Sequence, residues 1–244
     1  MEDNVKSFID KIQELKETKI KVPVVSTGKS IDSTPLSFKQ QKDLIGTIAD
    51  GALGSLRFQK FINEIITTNT GNQDLKVVDK LGIILKLRIE AIGKTSKLDE
   101  DKIDLEEILT KVKALKFENT KTIDDVVNVV LEIPTITQES KIIQSAIESV
   151  KKEGEGELGK NIGNIYTFEI VKYIKSIKFG EDELKFQELP VKDRFKVVDN
   201  LPITVNQEII KFIQEIKKKE NEALTVSVND EEKTIDIDVS FFDS

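Results

Sequence analysis

The stretch LKVVDKLGIILKLRIEAIG, residues 75–93, decides the fold because its apolar side chains recur at the spacing of one helix face. Gly93 follows at the position where helices commonly end. Upstream, Ser37 and Gln40 have the spacing of a capping box, which predicts the start of another helix. A further apolar stripe over 55–67 predicts a helix between these two. The three helices are expected to form a core over 37–94 that buries the following side chains: Phe38, Leu44, Phe61, Ile62, Leu81, Leu85 and Ile89.

Both ends of the chain are predicted to form arms. Residues 1–36 read as an amphipathic helix followed by an extended β-hairpin, in which Pro23 confines its strand to an edge or a bulge. Residues 223–242 alternate apolar and polar side chains around an acidic turn, which predicts a second hairpin. Arms of this kind can add strands to neighbouring proteins. The candidate partner-binding side chains are therefore Val5, Phe8, Ile12, Val22, Val24, Ile235, Ile237, Val239 and Phe241.

The middle of the chain predicts smaller units. Residues 95–150 read as a small α+β subdomain that begins with a polar linker. Its β-branched run over 127–133 favours a strand, and a short helix that ends before Pro134 is the alternative. The Gly- and Glu-rich run KKEGEGELGK at 151–160 predicts a mobile loop. Residues 161–244 are expected to hold helices, including a long one over 162–178, before the last hairpin. The predicted class is α+β, mainly α: a helical core with β-hairpin arms near the N-terminus, in the middle and at the C-terminus.

Composition excludes several kinds of chemistry. The 244 residues include no Cys and no His, which removes disulfides, thiolate nucleophiles, Cys-based zinc sites and the Ser-His-Asp triad. A net charge of -7 argues against a nucleic-acid partner, which would need a basic face. No apolar stretch approaches the roughly 20 residues that span a bilayer, so no membrane contact is predicted. Chemistry by carboxylates alone, or with Mg²⁺, remains open.

The run STGKS at 26–30 ends like a phosphate-binding loop. The complete motif needs a glycine where this chain has Pro23, and a helix directly afterwards. An extended segment follows instead, so we predict a plain turn. The acidic clusters at 99–101, 181–183 and 230–232 lack the spacing of a calcium loop and are predicted to be solvated turns.

Four segments resemble the T-even-type (myovirus) phage baseplate protein family, which includes the baseplate hub assembly protein. PLSFKQQKDLI at 35–45 resembles the family's entry helix, and VPVVSTGKSI at 22–31 resembles its extended lead-in. IILKLRIEAIGK at 83–94 resembles a third-helix pattern of the form LxLRxxxxG, and IDIDVSFF at 235–242 resembles the way such chains finish. The resemblance covers about residues 20–94 and the C-terminus.

The resemblance implies a structural component of a contractile tail baseplate, in the hub or inner baseplate, that acts by protein–protein contacts during assembly. Its partners would be other baseplate and tail proteins or further copies of itself, and its location the virion, after assembly in the host cytoplasm. The family offers no active-site motif, so no catalytic, cofactor-binding or metal-binding residue is predicted. One alternative is a transient hub assembly chaperone that is absent from the mature virion. A third interpretation is an Mg²⁺-dependent enzyme.

Overall fold

The computed structural model describes residues 18–47, 52–98, 101–153 and 167–242. Helices predominate in this part of the chain, and all its strand pairings are antiparallel. The predicted class, α+β and mainly α, is confirmed. The helices are α1 Phe38–Gly46, α2 Ala52–Thr70, α3 Lys80–Ile92, α4 Leu105–Ala114, α5 Ile136–Glu153, α6 at 167–173, α7 Val191–Asp199 and α8 Ile203–Leu224.

Three two-stranded hairpins and one four-stranded sheet complete the described fold. The sheet has the order β5-β6-β7-β8, which leaves β5 and β8 at its edges. The hairpins are β1 Ile20–Val24 with β2 Lys29–Ser33, β3 Thr95–Leu98 with β4 Asp101–Asp104, and β9 Thr225–Val228 with β10 Glu231–Thr234. The sheet strands are β5 Thr120–Ile123, β6 Asn128–Glu132, β7 Ile174–Phe179 and β8 Asp182–Leu184.

The first of two hydrophobic cores surrounds α3, which packs against β1, α2 and α4. Leu85 and Leu87 of α3 are completely buried there. The β1–β2 hairpin lies closest to α3 at Gly82, where an added Cβ would lie 3.1 Å from Pro23 Cγ. The C-terminal residues Phe241 and Phe242 also enter this core. Segments from both ends of the chain therefore contribute to the same core as the central helices.

Arg88 connects α3 to the C-terminus. Its side chain is almost fully buried, and Nε donates to the carbonyl oxygen of Phe241 at 3.3 Å. The guanidinium also donates to the carbonyl oxygens of Gly93 and Thr95, just beyond the end of α3. Arg88 and Gly93 are the last two fixed positions of the LxLRxxxxG pattern. The hydrogen bonds of Arg88 explain this pattern, because they stabilise the C-terminal end of α3 and attach the segment around Phe241 to it.

The second core lies between the four-stranded sheet and helices α5, α6 and α8. Val129, Leu131 and Ile174 are completely buried on the packed side of the sheet. Ile209 and Phe212 of α8 are buried in the same core. The burial of β-branched side chains on this side explains why β6 forms despite its uncertain sequence periodicity.

The predicted turn is confirmed between β1 and β2, where it spans 25–28, and strand β2 rather than a helix follows it directly. Gly28 has a φ of 68°, which favours glycine. Ser26 has a structural role: its backbone N–H and its hydroxyl donate to the buried Asp79 carboxylate at 2.7 and 2.9 Å. Burial raises the pKa of Asp79, and these hydrogen bonds oppose the rise.

Phe38 was predicted to lie in the core, but the structure contradicts this, because its side chain is 81% exposed. The predicted capping box is present at Ser37, where α1 begins, and Leu44 is buried on the packed side of this helix. Six residues earlier on the same helix, Phe38 is rotated by about 120° from Leu44 and faces solvent. The other proposed core side chains contact the first core, buried at Leu44, Ile62, Leu85 and Ile89 and half-buried at Phe61 and Leu81.

Three further elements differ from their predictions. The polar linker over 94–102 contains β3 and the start of β4. The prediction of a long helix over 162–178 is wrong at its C-terminal end, because Ile174–Phe179 form β7. The last hairpin ends at Thr234, and a short 3-10 turn at Ser240–Phe242 follows. Helix α5 continues to Glu153, and the rest of the predicted mobile loop at 151–160 lies outside the described residues.

Candidate functional site

A buried carboxylate, Glu139, lies where several helices meet. It occupies the first turn of α5, and its side chain is 3% exposed. Lys172 Nζ at the end of α6 lies 3.0 Å from Glu139 Oε1, while Lys80 at the start of α3 pairs with Oε2. Asn63 of α2 donates from Nδ2 to the same Oε2 at 3.0 Å. One carboxylate therefore joins four helices.

The charge cluster continues through Lys172 to α8. Lys172 Nζ lies 2.9 Å from Glu169 Oε1, and Lys217 of α8 lies 3.5 Å from Glu169 Oε2. Burial alone would raise the pKa of Glu139, but the ammonium groups of Lys80 and Lys172 hold that pKa well below its ordinary range. Burial likewise opposes the charge on Lys172, yet the two carboxylates raise its pKa. The cluster is ionised because its charges compensate one another.

Glu220 of α8 faces the same cluster and is half-buried. Burial raises the pKa of its carboxyl to about 7, and the negative charge of Glu139 adds to the rise. Lys80, Lys217 and Lys172 act in the opposite direction without cancelling the effect of burial. Glu220 therefore changes its charge near neutral pH.

A cavity of about 310 Å³ opens beside these charges. Its walls combine the charged groups Lys80, Lys217 and Glu220 with apolar side chains such as Phe58 and Ile237. A neighbouring cavity shares Phe58 and Ile237 and also contacts Val239. In the described part of the chain, no group of three or more Asp or Glu side chains is placed to hold a metal ion.

Four of the nine side chains predicted to bind partners lie in the first core. Val22 and Val24 are buried because β1 packs on α3, so in this structure their side chains contact the first core. Ile235 and Phe241 are also buried in the first core, where Phe241 stacks edge-on against Phe242. Ile237 and Val239 are half-buried and line the cavities. The remaining three, Val5, Phe8 and Ile12, lie outside the described residues.

A different set of apolar side chains reaches the surface, and the sequence patterns did not identify it. Besides Phe38, the exposed set includes Val126, Phe179 and Ile203, at 73%, 62% and 74% exposure, and Leu184. The residues next to Val126 and Ile203 are in contact, since Thr204 Oγ1 donates to Asp125 Oδ2 at 3.0 Å. The sheet register pairs Asn128 with Lys178, which brings Phe179 to the same end. A single apolar residue beside an acidic turn is a weak sequence signal, since such turns are usually only solvated.

Exposed apolar side chains that lie close together can mark a site of contact with other proteins. The comparison with known families agrees. The chain belongs to the T4 bacteriophage base plate protein family, whose model matches residues 16–242. It is thus a structural protein of a T4-type phage baseplate, located in the virion tail, where other baseplate and tail proteins are its partners. No curated protein and no solved structure matches the chain.

None of the described helices combines the length and the apolar character that crossing a bilayer requires.

Proposed function

We propose that this protein is a stoichiometric component of the hub or inner baseplate of a contractile tail, and that it is retained in the mature virion. It is assembled with its partners in the host cytoplasm. The observation that carries this proposal is the exposure of Phe38, Val126, Phe179 and Ile203 on a chain of this family. Large apolar side chains in water are unfavourable, and a permanent contact would bury them.

The buried charge cluster supports the same role. Each ion pair inside the protein has a definite geometry, so the helices around Glu139 are held in one arrangement. A rigid subunit suits a particle in which neighbours must fit together repeatedly. A transient assembly chaperone is the alternative, and it would leave the particle after the baseplate forms.

Catalysis is not part of the proposed function. All four carboxylate oxygens of Glu139 and Glu169 have a lysine partner, so a divalent cation would have to displace ammonium groups. Lys29, the lysine of the STGKS run, lies in β2 rather than before a helix. Purified protein should show no Mg²⁺-dependent nucleotide hydrolysis. A turnover that Lys29→Ala abolishes would contradict this.

Quantitative mass spectrometry of purified tails tests retention. We expect the protein at a fixed copy number relative to other baseplate proteins. Its absence from mature tails, combined with failure of baseplate formation when its gene is removed, would establish the chaperone role instead. Tails from a phage with a restored gene serve as the control for the deletion.

A further inference from the structure

One end of the four-stranded sheet forms a surface that neither core covers. It consists of the turn at 124–126, the β7–β8 turn at 180–181 with strand β8, Phe179, and the first residue of α8, Ile203. We call this the sheet-end surface. The Asp125–Thr204 hydrogen bond holds the α8 end against the first turn, and the pairing of Phe179 with Asp182 holds the second.

The apolar part of this surface continues the packed side of the sheet. In the β7–β8 register Ile177 pairs with Leu184, and alternation places Phe179 on the same side as Ile177. Ile177 is buried in the second core, whereas Phe179 is exposed and Leu184 partly so. The core side of the sheet therefore extends past the helices that cover it.

The backbone at this end is also available for pairing. Within the described residues, β8 pairs only with β7 and forms one edge of the sheet. An exposed edge strand presents unpaired N–H and C=O groups to an additional strand. Apolar side chains and open backbone together favour an extended ligand.

Charge defines the chemistry of that ligand. The turn at 124–126, the β7–β8 turn and β8 contain five carboxylates, Asp124, Asp125, Glu181, Asp182 and Glu183, which outnumber the neighbouring lysines Lys178, opposite Glu183, and Lys185. All five are exposed. Negative charges on a partner that buries Phe179 would be strongly unfavourable here, whereas lysine or arginine next to its apolar side chains would complement these groups. The same repulsion disfavours a second copy of this chain, which would place one acidic rim against another.

We propose that the sheet-end surface binds an extended segment of another baseplate protein, in which lysine or arginine flanks apolar side chains, and that this segment lies along β8. The inference rests on the proposed function, because it identifies the surface through which the protein joins the baseplate. It adds the location of that contact and the chemistry of the partner.

Zero-length cross-linking locates the contact directly, because a carbodiimide joins carboxylates to lysines that they touch. The reagent is applied to baseplate assembly intermediates and to mature tails, and the products are mapped by mass spectrometry. We expect links from the carboxylates at 124–125 or 181–183 to lysines of one other baseplate protein. Links from these carboxylates only to lysines of further copies of this chain would overturn the proposal.

Variants then measure how much the surface contributes. Each variant replaces the phage-encoded protein during infection, and its amount is compared in intermediates and in tails. The double variant Glu181→Lys with Asp182→Lys, and separately Phe179→Asp, should reduce the incorporated protein by roughly tenfold or more. Glu231→Lys with Glu232→Lys is the matched control at another acidic hairpin, and it should incorporate normally. Unchanged thermal unfolding of the purified variants shows that they fold.

The outcomes separate the two proposals. If the wild-type protein is present in tails and both sheet-end variants incorporate at the wild-type level, the proposed contact at the sheet-end surface is wrong, but the proposed baseplate role is not. If the wild-type protein occurs only in intermediates, permanent retention is wrong, and the variants still test the surface there. If it occurs in neither, both proposals fail.

Discussion

Lys172 Nζ lies 3.0 Å from Glu139 Oε1 in the interior of the protein, where the two side chains are 7% and 3% exposed. Removing two charges from water is costly, so such a pair is stable only when further partners satisfy both groups. Here Lys80 and Asn63 complete the shell of Glu139, and Glu169 completes that of Lys172. The packing of α3, α5 and α6 at this junction therefore depends on each of these buried charges keeping its partner.

Removing one member of this cluster should therefore be strongly destabilising. Glu139→Ala leaves Lys80 without its carboxylate and Lys172 with only Glu169, and we expect a loss of about 3–5 kcal/mol in the free energy of unfolding. Urea denaturation measures it. Glu222→Ala, which breaks the exposed pair with Lys218, is the control and should cost less than about 1 kcal/mol. Equal effects from the two variants would show that burial adds nothing.

Leu85 and Phe38 give a second matched comparison, because sequence periodicity assigned both to the core. Leu85 is completely buried and Phe38 is 81% exposed. Leu85→Ala should cost about 2–5 kcal/mol, since it removes buried methyl groups and leaves a cavity. Phe38→Ala should change stability by less than about 0.5 kcal/mol in the isolated protein. Urea denaturation of both variants checks the difference, and a large loss for Phe38→Ala would contradict the exposed position.

Short sequence motifs correctly predicted the features that depend only on residues close together in the chain, such as helix ends and turns. The capping box at Ser37, the end of α3 at Gly93 and the turn at Gly28 all lie where the residue types require them. Phe38 was misplaced because neither its apolar character nor the cap determines which side of α1 packs. Leu44 is buried instead, about 120° around the helix. The hairpin β3–β4 was missed because its short, mostly polar strands lack an apolar alternation, although Ile103 of β4 is buried.

Features that depend on contacts between distant parts of the chain could not be predicted from local sequence patterns. Ile174 and Ile177 are three residues apart, which suits a helix, but β6 pairs with this segment through a register shift at Val130 and Leu131. The charge cluster was also missed. Its members are separated by up to 137 residues between Lys80 and Lys217, and each alone resembles an ordinary surface charge. Only the fold brings them together.

Gly82 should resist substitution although it lies inside a helix. Alanine normally stabilises a helix interior relative to glycine by about 1 kcal/mol. At Gly82, however, the new methyl group would lie 3.1 Å from Pro23 Cγ and 3.3 Å from Val25 Cγ2. Overpacking of this kind costs about 1–3 kcal/mol, so Gly82→Ala should be destabilising in thermal unfolding. Gly46→Ala, where nothing lies within 4 Å, should be neutral or stabilising. Stabilisation by both variants would show that the hairpin moves away from α3.

Glu220 links stability to pH near neutrality. Its carboxyl has an ordinary pKa of 4.5 and a pKa of about 7 in the folded protein, chiefly because of burial. The folded state therefore binds the proton more tightly than the unfolded state does. The contribution of Glu220 to stability is greatest below pH 4.5 and is lost as the pH rises toward and through 7. Ionised Glu220 is thus destabilising above that range.

Glu220→Gln should remove this dependence, because glutamine stays neutral at every pH. We expect the variant to gain stability relative to the wild type between pH 4.5 and pH 8, as measured by urea denaturation at both values. The comparison is made variant against wild type, so that titration of all other groups cancels. Glu208→Gln is the control: the ion pair with Lys211 lowers the pKa of Glu208, so this variant should not gain stability as the pH rises. A constant difference in stability between Glu220→Gln and the wild type at the two pH values would contradict this prediction. It would show that the pKa of Glu220 is not raised and that its carboxylate is hydrated in the folded protein.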